Sequence, residues 1–313
     1  MKSPVDTDPT ERGQVPAAND SPVPRTQGSA PAPSCDGPAG ENGDQTGGER
    51  TSRIRSGSGL LVGLLLAVII LAFIGPFLPL EGARTVAPPY ASAGGGLFLG
   101  SDGLGRDVFA RLLHGGGGLI LIALGATIAA VAVGLILGFI MSIRSLFARA
   151  LQVVVDIVLV IPPILTMLVL IFGLGGGIAT MFLITAAVTV PFVARYTRAL
   201  IVPLLGADFV LAARLAGDGW IRVALRDIAP NLAGPLLADA GARFVGALYI
   251  VASAGFLGFN PLGGDGDWAT MIQANLDGLG KNPWASLAPA FAVVLITVPA
   301  NLLADRWTRR LSR

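Results

Sequence analysis

Charge is what this sequence has least of. Only 13% of its 313 residues are Asp, Glu, Lys or Arg, against about 25% in soluble domains, which excludes an ordinary water-soluble globule. Glutamate nearly vanishes early: residues 1–57 hold eight of the 20 acidic residues, and Glu81 is the last Glu. Lysine is restricted to Lys2 and Lys281, and Lys281 is followed by Asn282. No G-x-x-x-x-G-K-[ST] loop therefore exists, and the chain lacks the usual means of binding ATP. The single cysteine, Cys35, excludes an intrachain disulfide. The single histidine, His114, offers a metal centre no convergent partners. No G-x-S-x-G is present to suggest a hydrolase. The charge pattern calls for no nucleic-acid partner, no resident cofactor and no metal.

What is there is apolar. Hydrophobic residues make up 53% of the chain and the mean hydropathy is +0.69, the composition of an integral membrane protein. Six stretches approach the roughly 20 residues a bilayer span needs: 60–80, 118–143, 151–173, 177–195, 232–257 and 285–304. No charge occurs from Ile157 to Ala194, too long for one span, and GLGGG at 173–177 marks a hairpin between two. Residues 60–80 also resemble the apolar part of a signal peptide, but they are long enough to span and are read as an uncleaved first helix. Residues 1–57, rich in Pro, Gly, Ser and Asp, cannot bury enough surface to offset their ordering entropy and are expected to form a disordered tail. If that tail is cytoplasmic, the inner segments carry thirteen Lys and Arg and the outer ones four. The positive-inside rule then places both termini in the cytoplasm.

Between the fourth and fifth spans lies DFVLAARLAGDGWIRVALRDIAPN, residues 208–231. Asp208 is expected to cap a helix to about Ala216, and Asp218 a second from Gly219 to about Ala229, stopped by Pro230. Trp220, Ile221, Ala224, Leu225 and Ile228 share one apolar face of the second helix, and Arg222 and Arg226 lie on another. Periodicity leaves two readings open: an interfacial helix facing anionic lipid, or a docking helix for a cytoplasmic partner.

This stretch resembles the coupling loop of ABC-importer permeases, whose pattern is E-A-A, three residues, G, about nine residues, then an apolar residue and L-P. Ala212, Ala213, Gly217 and Pro230 fall at the family spacing, while Leu211 replaces the glutamate and Ala229 the leucine. Gly100 to Leu112 reads GSDGLGRDVFARL and resembles the G-T-D-x-x-G-R-D-V-x-x-R-L of the C-type permeases of dipeptide, oligopeptide and nickel importers. Asp156 with Pro162, Phe256-Leu257-Gly258, Asp267-Trp268-Ala269-Thr270-Met271 and Asn301-Leu302-Leu303-Ala304-Asp305 resemble further motifs of that family. Val251 stands where the family often has Glu. The resemblance covers about residues 60–313. It implies an all-α membrane fold of six transmembrane helices, the type I importer permease fold. It also implies residence in a bacterial plasma membrane and a non-catalytic role. The implied partners are a second, B-type permease, two cytoplasmic ATPases that hold ATP and Mg, an extracytoplasmic solute-binding protein and membrane lipid. The implied coupling residues are Ala212, Ala213, Gly217 and Pro230, with Arg214 and Asp218 offered in place of the missing acid.

Outside the coupling loop, Asp102 and Gly105 are expected to begin a short outer helix from Arg106 to His114, an interfacial brace in which Asp107 and Arg111 form a surface i,i+4 pair. Gly115–Gly118 is read as the bend into the second span. Asp239 and Arg243, four apart within the fifth span, either neutralise each other or line a pathway. The implied function is import of di- or oligopeptides. The alternatives are a nickel or other small-solute importer permease, or, from a different class, an ion-coupled secondary transporter, for which Asp239 is the one clear carboxylate and no inverted repeat is visible.

Overall fold

The computed structural model describes residues 46–79, 82, 84–260, 263 and 267–311. Most of the expected tail lies outside the described residues. Its last turns do not, because helix α1 runs over Thr46–Ile74 and so begins before residue 57. Residues Glu49–Arg313 fold as one unit.

Helices account for nearly all the secondary structure, and among the described residues extended pairing is confined to isolated bridges such as Thr85 with Arg106. After α1 come the short α2 (Val108–His114), α3 (Gly116–Ser142), α4 (Leu146–Val160), α5 (Pro163–Leu174) and α6 (Ile178–Leu204). Then follow α7 (Asp208–Leu215), α8 (Trp220–Val223), a π-helical turn at Ala224–Ile228, α9 (Ala229–Phe256), α10 (Trp268–Ala274) and α11 (Trp284–Leu311). Four helices are long and apolar enough to cross a membrane: Val108–Ser142, Ile178–Leu204, Trp220–Phe256 and Trp284–Arg306. The bent pair α4 and α5 makes a fifth if counted as one span, and Leu61–Phe77 is a shorter apolar helix.

The third expected span, 151–173, is thus two helices meeting at 94°. Pro162 and Pro163 are the cause. Neither carries an N–H, and a proline pushes its predecessor out of the helical region; Ile161 (ψ 127°) and Pro162 (ψ 129°) are both extended. The GLGGG stretch separates α5 from α6 as expected, with Gly175 (φ 83°) and Gly177 (φ 148°) in conformations that side chains disfavour.

The core forms where α3, α6 and α9 approach one another, with α5, α10 and α11 around them. Leu119, Ile120 and Ala123 of α3 pack with Met181 and Ile184 of α6, Leu248 and Val251 of α9, Met271 of α10 and Ile296 of α11. Val251 is fully buried there, so valine suits its surroundings where a carboxylate would have to be desolvated. On α3, Ala126, Ala130, Gly134 and Gly138 recur every four residues. A Cβ on Gly134 would strike Val193, and one on Gly138 would strike Thr197. Small residues at this spacing let helices pack closely in lipid, where solvent exclusion gives little drive. Leu121, Leu124, Ile128, Val133 and Ile136 point outward from the same helix.

Candidate functional site

The coupling segment folds as two short helices, but its caps differ from those expected. Asp208 is the first residue of α7 rather than its cap, and Ala207 precedes it without a side-chain bond. Gly219, not Asp218, precedes α8. Asp218 pairs instead with Arg222 at 2.9 Å on the exposed side. What shapes the turn is backbone. The Gly217 N–H donates to the Arg214 carbonyl at 3.0 Å, and the Asp218 N–H to the Ala213 carbonyl at 3.1 Å, with Gly217 at φ 89°. This is a Schellman motif, which takes glycine one residue past the helix end. The spacing of Ala213 and Gly217 therefore has a local physical reason: one supplies the accepting carbonyl and the other the reversed backbone.

Pro230 does not stop the second helix. Trp220–Phe256 is one continuous helical rod. A proline at 230 would press its ring on the carbonyl four residues back. The wide turn at 224–228, where the Ala229 N–H reaches the Ala224 carbonyl, takes up that misfit.

The expected apolar face is divided. Ala224 is buried, and Ile228 points inward with Val210 and Val223, with half-buried Trp220 beside them, against Ile201 of α6 and Leu232 and Leu236 of α9. Ile221, Leu225 and Leu215 point outward and are 74%, 68% and 90% exposed. Arg214 lies over the Trp220 ring at 5.0 Å, tying α7 to α8, and Ala212 and Leu211 are exposed. The element thus presents an outer surface of large apolar side chains, Leu215, Ile221 and Leu225 the most exposed of them, with Arg222, while gripping the ends of α6 and α9. Nearby, Asp156 of α4 meets Arg195 of α6 at 3.6 Å on the surface.

The loop before α2 is a brace of a different construction from the one expected. Asp107, not Asp102, caps α2 by accepting from the Phe109 N–H. Asp102 is buried and accepts from the Leu104 and Arg106 backbone N–H groups at 2.8 Å, and from Arg106 Nε and Arg111 Nη1 at 3.0 and 2.6 Å. Arg111 is buried too, so it meets Asp102 in the interior instead of forming a surface pair. Burial acts to raise the Asp102 pKa, but the Arg106 and Leu104 backbone bonds and both guanidiniums prevail and hold it below the ordinary carboxylate value. Gly105 (φ 74°) has no room for a Cβ beside the Ala87 carbonyl.

This loop is fastened to the stretch before α11. The Asn282 amide donates to the Leu99 and Ser101 carbonyls, Asn275 accepts from the Gly103 N–H, and Trp268 Nε1 donates to the Leu112 carbonyl. Trp268 also packs against Gly115 and Gly116, so those glycines admit an indole as well as joining α2 to α3. Asp267 caps α10 in a capping box with Thr270, and its burial raises its pKa against the bonds from Thr270 and Ala269. Asn275, Asn282 and Tyr90, whose ring packs against Gly278, escaped sequence reasoning. The available signal was two asparagines in a short stretch just before an apolar span.

Within the membrane, Arg243 Nε and Nη2 donate to the two Asp239 oxygens, both at 2.9 Å. The Arg243 guanidinium lies 5.5 Å from the Phe192 ring centre. It lines a cavity of about 380 Å³ with Pro162, Pro163, Thr189, Phe192, Gly246 and Tyr249. The pair is thus set in a cavity wall, far along α9 from the coupling helices. No group of three His, Cys, Asp or Glu comes together among the described residues.

Comparison with known proteins fits this arrangement. Residues 130–313 match the family described as "Binding-protein-dependent transport system inner membrane component". The di/tripeptide transport system permease protein DppC of Pseudomonas aeruginosa is 31% identical over 258 residues, covering 79% of this chain and 85% of that protein. The dipeptide transport system permease protein DppC of Escherichia coli is 32% identical over 258 residues, covering 79% and 86%. Inward-facing structures of the MetNI methionine ABC transporter share the fold, with a TM-score of 0.55 at 17% identity over 66% of this chain and 98% of that one. With its membrane-length helices, this chain belongs to the inner-membrane permease components of binding-protein-dependent ABC importers.

Proposed function

We propose that the chain is the C-type permease subunit of an importer of di- or oligopeptides. The reading is supported above all by the shape of the coupling segment: a Schellman turn at Gly217 that sets two short helices against the ends of α6 and α9, leaving Leu215, Ile221, Leu225 and Arg222 outward. A set of apolar side chains on a charged rim is what a protein partner recognises. The partner is a cytoplasmic ATPase, which binds ATP and Mg where this chain has no phosphate loop. Ala212, Ala213, Arg214, Gly217 and Asp218 shape the docking element, and Pro230 sets the wide turn that joins it to α9. A second, B-type permease completes the pathway with Asp239 and Arg243 on one wall, and an external binding protein delivers solute to the side braced by Asp102, Gly105, Arg106 and Asp107. Both termini lie in the cytoplasm, and residues 1–57 form a cytoplasmic tail ahead of the permease domain. The peptide assignment draws on the substrates named for the relatives.

The test is uptake by the complete importer in proteoliposomes. Labelled dialanine should accumulate only with internal ATP and external binding protein, and the ATPases should co-purify with this chain. ATP-independent uptake driven by an ion gradient would replace this reading with the secondary-transporter one. ATP-driven uptake of nickel without dialanine would replace it with the metal-importer one.

A further inference from the structure

The cavity beside Arg243 has a polarity that neither mutual neutralisation nor the general architecture requires. Its walls are apolar apart from a few groups. Thr189 spends its hydroxyl on the Thr185 carbonyl, leaving the Tyr249 hydroxyl and the Arg243 guanidinium as its free polar chemistry. The two members of the ion pair are not equivalent. Arg243 lines the cavity and Asp239 does not; the arginine side chain is 26% exposed and the aspartate 12%. Asp239 stands one helical turn away, drawing the guanidinium by its Nε and Nη2 edge. Those bonds occupy two of the five N–H donors of arginine, and the other three have no partner among the described residues. The positive end of the pair therefore faces the cavity, and Phe192 supports its flat face.

The surrounding residues leave room at this position. On α9, Arg243, Gly246 and Ile250 follow one stripe, and the Gly246 Cβ position has open space around it. The opposite wall is the Pro162-Pro163 break. About 380 Å³ lies at the small end of ligand sites, and a mostly apolar pocket with a few converging polar groups is their usual make-up.

We infer that Arg243 is a specificity-determining residue, the seat for the carboxylate of the travelling solute. Asp239 positions the guanidinium and offsets its charge while the cavity is empty. This inference rests on the peptide-import reading, since a peptide carries both a carboxylate and the apolar bulk the remaining walls fit. Planar bidentate recognition of carboxylate is what a guanidinium does and an ammonium does less well.

The experiment uses the complete importer in proteoliposomes, with saturating binding protein and labelled dialanine as probe. Arg243→Gln should lower the maximal uptake rate at least about tenfold, as expected for a lost charge-assisted hydrogen bond. The concentration for half-maximal uptake, set by the binding protein, should stay unchanged. Arg243→Lys should recover part of the rate. Asp239→Asn, which keeps one oxygen to accept from the guanidinium, should lose less of it than Arg243→Gln, and the double variant Asp239→Asn, Arg243→Gln should remain as slow as Arg243→Gln. A pair that only neutralises itself gives the opposite pattern: each single variant is impaired by an uncompensated charge and the double variant recovers. That pattern, or unchanged uptake in Arg243→Gln, overturns the inference while peptide import stands. A parent importer that moves no dialanine overturns the peptide reading and this inference with it.

Discussion

Replacing Gly217 by alanine adds one methyl group where nothing lies within 4 Å to obstruct it, so the whole effect is conformational. At φ 89° an L side chain costs about 1–2 kcal/mol. The chain can avoid that cost only by abandoning the turn, which forfeits the bonds to the Arg214 and Ala213 carbonyls, each worth about 1 kcal/mol. Either route costs about 1–2 kcal/mol, which lowers the ratio of formed to unformed turn by about 5- to 30-fold. Val210, Val223 and Ile228 still anchor the segment, so the loss stays local, and Arg214 leaves the Trp220 ring. Gly219 is the matched control: it too has open space around its Cβ, but its φ of −67° and ψ of 151° suit any residue. There a mild loss in capping and a gain from a stiffer unfolded chain nearly cancel, within about 0.5 kcal/mol. In the complete importer, Gly217→Ala should lower ATP-dependent uptake several-fold at normal membrane abundance, and Gly219→Ala should match the parent. Equal uptake in the two variants would refute the reasoning.

Asp102→Ala should cost about 3–5 kcal/mol, because it removes a buried counter-charge from beside Arg111 and the acceptor of the Leu104 and Arg106 N–H groups; a fall in the unfolding temperature of the purified permease pair checks it. Asp102 and Asp267 have opposite pH signatures. Asp102, held low, contributes stability above its unfolded value of about 3.9 that is lost as pH falls through its lower folded value. Asp267, raised by burial, contributes stability below about 3.9 that is lost as pH rises through its higher folded value. Asp267→Asn should therefore remove that loss on the rising-pH side, read from unfolding temperature against pH. Gly278→Ala should destabilise the brace by about 1–3 kcal/mol, since its Cβ would enter the Tyr90 ring; thermal unfolding again reports it.

The long apolar helices were legible because lipid demands length and apolarity, and both are one-dimensional properties. The 94° break was not read, although Pro162-Pro163 stood in plain view, because a span counted by length alone hides a bend within it. The inner face of the coupling helices was read in part. Ala224 and Ile228 turned inward, but Ile221 and Leu225 did not, since the buried stripe follows Trp220, Val223, Ala224 and Ile228 and is narrower than the apolar face. Asp208 and Asp218 both occupy good positions for caps by sequence, yet the backbone of the Schellman turn and the Arg222 partner decide the outcome. Asp102 could not be placed from spacing, because its partner Arg111 lies nine residues away and its burial depends on Asn275 and Asn282, more than 170 residues further along.

The unbroken run from Trp220 to Phe256 has a mechanical corollary. Ile221 and Arg243 sit 22 residues apart on one rod, about 33 Å at 1.5 Å per residue. A tilt of about 5° pivoting at the Ile221 end would carry the guanidinium sideways by about 3 Å over that arm, roughly the length of a hydrogen bond. A push too small to disturb the packing at one end is thus, by leverage, large enough to make or break a contact at the other.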